Sequence, residues 1–104
     1  MLIHVDFKAD MHRQRAWLAD NARPEWIEGL ALGVKELMIR LARLPACGPV
    51  VTSDARIVVR KIFLRRLPYV VWYAHRPAEP IGDITLLRLF GYGQSRPDPS
   101  SSVL

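Results

Sequence analysis

Apolar residues recur at helical spacing through the second quarter of the chain, whereas the second half carries nearly continuous apolar runs. The residues at spacings of three and four are Ile27, Leu30, Val34, Leu37, Leu41 and Leu44. This periodicity predicts an amphipathic helix over residues 24–44. Pro24 suits the first helical position, and Pro45 cannot continue the helix beyond its end.

The segment before this helix predicts a short strand and a first helix. Residues 2–7 are rich in apolar and β-branched side chains, which favours a strand. Asp10 is a suitable cap for a helix that runs to about Asp20. Asn21, Arg23 and Pro24 then stop that helix, so the two helices form a tight hairpin.

The second half predicts three further strands. A loop at residues 52–54 leads into the first of them, at residues 56–64. A turn at residues 65–68 connects it to a strand at residues 69–74, and these two pair as a hairpin. A proline-containing turn then precedes the last strand, at residues 84–90.

This order predicts an α+β fold, with a short N-terminal strand, a helical hairpin, and a three-stranded antiparallel meander that completes the sheet. The helices pack on one face of the sheet, and the other face is free for function. We expect one domain over residues 1–96 and a flexible polar tail over residues 97–104. Alternation along the central strand places Tyr69, Val71 and Tyr73 towards the helices, and leaves Trp72 as an exposed anchor on the open face.

Charge is concentrated in the predicted sheet. The chain has 15 Lys and Arg against 10 Asp and Glu, a net charge of +5. Between residues 55 and 78 there are six Lys or Arg and no acidic residue. Such a surface needs an anionic partner, which the balance of charge alone leaves open between nucleic acid, an acidic protein and an anionic membrane surface.

Other features exclude several classes of protein. The single cysteine, Cys47, rules out an internal disulfide framework and suits a reducing compartment. The three histidines, His4, His12 and His75, have neither metal-ligand nor catalytic-triad spacing, so we expect no metal and no cofactor. No apolar run approaches the ~20 residues of a membrane span, and we expect a soluble, cytoplasmic protein.

Four segments resemble the RelE/ParE superfamily of bacterial type II toxin–antitoxin toxins, over about residues 1 to 96. They are the helix end Leu-Pro-Ala-Cys-Gly at residues 44–48, Arg-Lys-Ile-Phe-Leu at 60–64, Pro-Tyr-Val-Val-Trp-Tyr at 68–73, and Ile-Thr-Leu-Leu-Arg-Leu-Phe-Gly at 84–91. The resemblance implies a small toxin that halts growth and is held inactive by a cognate antitoxin. The antitoxin of such a pair wraps the toxin with a C-terminal segment, so an acidic, amphipathic peptide is the expected partner.

The resemblance covers two branches with different targets. RelE-like members cleave mRNA on the ribosome with basic residues on the central strands. They also use an Arg just after the Tyr of the strand that corresponds to residues 69–74, and an Arg past the last strand. In this chain Val70, Phe63 and Gly93 stand where those cations are expected, although Lys61 falls near one basic position. The pattern is closer to ParE-like toxins, which poison DNA gyrase without nuclease chemistry.

Three functions therefore follow as alternatives: a ParE-like gyrase inhibitor, a RelE-like mRNA endoribonuclease, and a basic nucleic-acid-binding module. The first is favoured, and no catalytic residue is assigned. The candidate target-binding residues are Arg60, Lys61, Arg65, Arg66, Trp72, Arg88, Tyr92 and Arg96.

Overall fold

Two helices and five strands make up the described part of the chain. The computed structural model describes residues 1–21, 23–65, 67–77 and 84–91. In chain order the elements are β1 (Leu2–Ile3), α1 (Val5–Asp20), α2 (Pro24–Arg43), β2 (Val50–Ser53), β3 (Val58–Phe63), β4 (Tyr69–His75) and β5 (Thr85–Gly91). The predicted α+β class and helical hairpin are confirmed.

The strands form one sheet in the order β1-β5-β4-β3-β2. Strands β2 to β5 are an antiparallel meander, and β1 lies parallel to β5, with Leu2 opposite Thr85. The helical hairpin carries the chain across one face of the sheet, from β1 at one edge to β2 at the other.

The meander has four strands rather than the predicted three. Strand β2 includes Thr52 and Ser53, which the sequence analysis assigns to a loop. Its β-branched residues Val50, Val51 and Thr52 favour a strand, but the adjacent Ser-Asp pair reads as a turn. The turn does form, but after β2: the Asp54 carboxylate accepts hydrogen bonds from the backbone N–H groups of Arg56 and Ile57.

Helix α1 begins earlier than predicted. It starts at Val5, because the His4 imidazole accepts a hydrogen bond from the backbone N–H of Asp6 and so caps the helix. The predicted strand over residues 2–7 shrinks to Leu2–Ile3. Asp10, the predicted cap, lies inside the helix and is buried.

The main core lies between the helices and one face of the sheet. Tyr69, Val71 and Tyr73 project into it, as the alternation predicted. From the helices it receives Phe7, Leu18, Leu30, Val34, Leu37 and Leu41.

The opposite face of the sheet carries a second buried apolar cluster, which contains Val59, Val70, Trp72, Leu87 and Phe90. Trp72 is only 3% exposed and packs edge-on against Phe90. The prediction that Trp72 is an exposed anchor is therefore wrong, because apolar neighbours from β3 and β5 enclose the indole.

Candidate target and partner interface

Strand β3 sends its two adjacent cations to opposite faces of the sheet. Arg60 stands opposite Tyr73 in the register and so shares the face that the helices cover. Its Nε–H donates to Nε2 of His75 at 2.9 Å, and its Nη1 donates to the carbonyl oxygen of Gly48 at 2.8 Å. Arg60 is thus engaged in contacts that hold the loop after α2 against the sheet.

Tyr73 fastens the same loop from β4. Its hydroxyl donates to the carbonyl oxygen of Pro45 at 2.8 Å and accepts from the backbone N–H of Gly48 at 3.2 Å. Burial, together with the smaller effect of the neighbouring Cys47, raises the pKa of Tyr73 to about 12 against the opposing effect of the Gly48 N–H. The phenol therefore stays protonated as a structural donor at neutral pH.

His75 completes this network as a neutral acceptor. It is buried, and both burial and the charge of Arg60 lower the pKa of its imidazole. A neutral Nε2 accepts the hydrogen bond from Arg60, whereas a protonated ring has no free lone pair there. Arg60 and His75 therefore form a structural pair.

On the opposite face, Lys61, Trp72 and Arg88 lie in one row across β3, β4 and β5. With strands about 4.8 Å apart, the backbones of Lys61 and Arg88 lie about 10 Å from each other, on either side of Trp72. Lys61 is half-buried and forms no ion pair with the described residues. Arg88 is bound to the carboxylate of Asp10, which also accepts from the backbone N–H of Leu89.

Arg65 belongs to a separate surface, a groove between α2 and the segment that follows β3. The groove has a volume of about 510 Å³. Its described lining consists of Gly33, Glu36, Leu37, Ile39, Arg40, Arg43, Leu44, Leu64 and Arg65. We call this the α2 groove. It continues at one end into a smaller pocket beside Gly29, Leu32 and Leu67.

Glycine makes the floor of the α2 groove possible. The Cδ1 atom of Leu64 lies 3.4 Å from the position of a Cβ atom on Gly33. The segment that follows β3 can therefore pack directly on the backbone of α2. Leu64 is buried by this contact, and Arg65 next to it is left exposed at the rim.

The α2 groove joins exposed apolar side chains to a cationic rim. Leu32, Ile39 and Leu44 each expose about half of their surface. Three arginines, Arg40, Arg43 and Arg65, stand against a single acid among the described lining residues, Glu36. Nε of Arg40 is buried and has no hydrogen-bond partner in the described part of the chain, so this donor is left unsatisfied.

Sequence reasoning missed most of this groove. Its signal is the pair Leu32 and Ile39, which lie seven residues apart and outside the core stripe of α2. Arg40 and Arg43 lie in the last turn, where cations also offset the helix dipole, so their presence alone does not mark a site.

The structure does not bring the predicted site residues together on one surface. Arg60 faces the helices, Lys61 faces the other side of the sheet, and Arg65 belongs to the α2 groove. Arg66, Tyr92 and Arg96, like the predicted tail at residues 97–104, lie outside the described residues. The roles of Lys61 and Arg65 in binding a target stay predictions.

Val70 and Phe63, two of the positions at which the sequence analysis expects a nuclease to carry cations, have apolar side chains. Val70 is 1% exposed and belongs to the second cluster, and Phe63 at the end of β3 is half exposed. Within the described residues, no group of three or more His, Cys, Asp or Glu side chains is arranged to hold a metal ion. Of the described helices, neither α1 nor α2 is long and apolar enough to span a bilayer.

Comparison with known proteins gives no relative to this chain. No family model matches its sequence, and no curated protein or solved structure gives a significant match.

Proposed function

We propose that this chain is the toxin of a type II toxin–antitoxin pair, of the ParE-like branch, which acts on DNA gyrase in the cytoplasm. The observation that carries the proposal is the arrangement of elements. The short edge strand, the helical hairpin on one face and the antiparallel meander with a basic β3 follow the order that the sequence predicts, and that order supports the resemblance.

The distribution of side chains favours an inhibitor over a nuclease. Cleavage of RNA needs a general acid and base and cations that stabilise the charge of the phosphorane. Val70 and Phe63 supply none of these, and the guanidinium groups of Arg60 and Arg88 are bound inside the fold. Lys61 and Arg65 remain as candidate contacts to a macromolecular target.

The antitoxin is the partner that fits the α2 groove. An amphipathic segment seats its apolar side chains along Leu32, Ile39 and Leu64, and places carboxylates against Arg40 and Arg43. Charge-assisted hydrogen bonds from these guanidinium groups to the carboxylates strengthen such a contact.

The experiment is inducible expression in bacteria, with and without the product of the neighbouring reading frame. Expression alone is expected to arrest growth with filamentation and induction of the DNA-damage response while mRNA stays intact. Co-expression of an antitoxin is expected to restore growth. Growth without any arrest contradicts the proposal, provided that the folded chain accumulates in the cells.

Variants separate the partner surface from the target surface. Arg43→Glu together with Ile39→Asp is expected to leave the arrest intact and to abolish its rescue by the antitoxin. Arg56→Glu, a substitution at an exposed residue of the β2–β3 turn, is the matched control and is expected to keep both the growth arrest and its rescue by the antitoxin. Rescue of the groove variant at the level of the control contradicts the role of the α2 groove.

Two other outcomes point to the alternative functions. Early, codon-specific cleavage of mRNA identifies a RelE-like endoribonuclease. Tight, salt-dependent binding to naked DNA or RNA without growth arrest identifies a nucleic-acid-binding module.

A further inference from the structure

A second groove lies beside α1 and shares no described residue with the α2 groove. It has a volume of about 280 Å³. Its described lining consists of Ile3, Phe7, Lys8, Met11, His12, Arg15 and Val34. We call it the α1 groove. Gly33 and Val34 are adjacent in sequence and line different grooves, so the two open on different sides of α2.

The α1 groove has an apolar floor and a basic rim. Lys8, His12 and Arg15 follow one another at spacings of four and three, which places them along one side of the helix. All three side chains are exposed. None of them forms an ion pair with a carboxylate of the described residues, and no acid is among the described residues that line the groove.

The two acids in the first half of α1 do not neutralise this rim. Asp10 is buried and accepts hydrogen bonds from Arg13 and Arg88. Asp6 lies beside His4 at the start of the helix, with Oδ2 3.6 Å from Nδ1. The positive charge of the rim is therefore available to a ligand from outside.

We propose that the α1 groove is a second docking site, for an acidic amphipathic peptide segment of a protein partner. Apolar side chains of the segment pack against Ile3 and Met11, above the buried Phe7 and Val34, and its carboxylates pair with Lys8 and Arg15. The inference rests on the charge and shape of this groove and does not depend on the toxin function or on the α2 groove.

Three other occupants fit the surface less well. In a symmetric contact between two copies of this chain, each basic rim would face an identical basic rim, and the like charges would repel each other. A nucleic acid satisfies the rim but leaves the apolar floor without a partner. A bilayer takes up protruding apolar side chains, but among the described lining residues only Ile3 is a large exposed apolar side chain, since Phe7 and Val34 are buried.

The test is two-dimensional amide NMR of the isotope-labelled full chain, titrated with a synthetic helical peptide about three turns long. The peptide carries leucines on one face and flanking glutamates, and a matched peptide has glutamine in place of glutamate. The acidic peptide is expected to shift the amide signals of Lys8, Met11, His12 and Val34. The glutamine peptide is expected to bind about tenfold more weakly.

Variants assign the shifts to one groove. Lys8→Glu together with Arg15→Glu is expected to weaken binding at the α1 groove about tenfold or more. Arg43→Glu together with Arg65→Glu removes charge from the α2 groove and is expected to leave binding at the α1 groove unchanged. The spectrum of each variant verifies its fold, and Lys8→Gln with Arg15→Gln serves as the milder pair if charge reversal unfolds the chain.

Several results overturn the inference. They are the absence of shifts at the α1 groove, equal binding of the acidic and glutamine peptides, and equal binding to the rim variants and the unmodified chain. A single-stranded oligonucleotide or an anionic phospholipid vesicle that shifts the same signals at lower concentration than the acidic peptide also overturns it, in favour of that ligand.

Discussion

Arg88 on β5 binds the buried carboxylate of Asp10 on α1, through Nε to Oδ2 at 2.8 Å and through Nη2 to Oδ1 at 3.2 Å. The backbone N–H of Leu89 donates to the same Oδ2 at 2.9 Å. The last bond of β1 to this edge comes from the N–H of His4 to the carbonyl oxygen of Leu86. Beyond the end of β1, Asp10 therefore supplies the hydrogen-bond acceptor for the backbone N–H of Leu89 at the edge of β5.

The two arginines around Asp10 differ in what their removal costs. The side chain of Asp10 is 1% exposed, whereas that of Arg13 is 60% exposed. Arg88→Met leaves a buried carboxylate without its main partner and is expected to lower the free energy of unfolding by about 3 kcal/mol. Arg13→Ala is the control and is expected to cost less than about 1 kcal/mol, because exposed ion pairs contribute little. Urea denaturation measures both, and equal losses contradict this account of the pair.

The hydroxyl of Tyr73 is expected to stabilise the fold through its two hydrogen bonds. Tyr73→Phe keeps the ring in the core but leaves Pro45 and Gly48 without that partner, so we expect a loss of about 1–2 kcal/mol. Tyr69→Phe is the matched control, since no described residue hydrogen-bonds its hydroxyl, and should change stability by less than about 0.5 kcal/mol. A larger loss for Tyr69→Phe than for Tyr73→Phe in thermal or urea unfolding is the contradicting result.

Glycine is required at residue 48 and tolerated at residue 29. A Cβ atom on Gly48 would lie 2.2 Å from the carbonyl oxygen of Lys61, whereas one on Gly29 would lie 3.5 Å from Cδ1 of Leu67, an ordinary contact. Gly48→Ala is expected to destabilise the chain by about 2 kcal/mol or more, because backbone must move. Gly29→Ala is expected to stabilise it by up to about 1 kcal/mol through helix propensity. Midpoints of thermal unfolding that move the same way for both variants would contradict this assignment.

His75 is expected to make stability depend on pH. Well above the ordinary value of 6.5, the folded and unfolded chains both hold His75 neutral, so its contribution to stability is complete. As the pH falls below 6.5, the unfolded chain takes up a proton that the folded chain accepts only at its lower pKa, and stability is lost across that window.

The measurement is urea denaturation between pH 7.5 and 5, compared with His75→Gln, which keeps an acceptor for Arg60 without titrating. The unmodified chain should lose stability faster than the variant, by at most about 1.4 kcal/mol per pH unit. Parallel pH profiles for the two proteins would show that His75 is not the titrating group.

The local signals in the sequence define most of the fold. The stripe through Leu30, Val34 and Leu37 places α2, and the alternation of Tyr69, Val71 and Tyr73 places the core face of β4. The start of α1 was misplaced because an imidazole cap at His4 is rarer than an aspartate cap, and Asp10 has the residue type of a cap. Its true role depends on Arg88, seventy-eight residues away, which no local pattern contains.

The candidate site was predicted less well, because residue type does not reveal which cations are already bound. Arg60, Lys61 and Arg65 look equivalent in sequence. Arg60 differs from the other two because it is bound to Gly48 and His75. Arg65 lies at the α2 groove because its neighbour Leu64 packs on Gly33. The burial of Trp72 likewise depends on neighbours from two other strands.

The most direct test of the central claim is a DNA cleavage assay with purified gyrase, relaxed or supercoiled plasmid, ATP and the purified full chain. The account predicts accumulation of gyrase-linked, double-stranded DNA breaks that depend on the chain, with Arg56→Glu as active as the unmodified protein. Supercoiling and cleavage that are unaffected by a folded, growth-arresting chain contradict gyrase as the target, and with it the central claim.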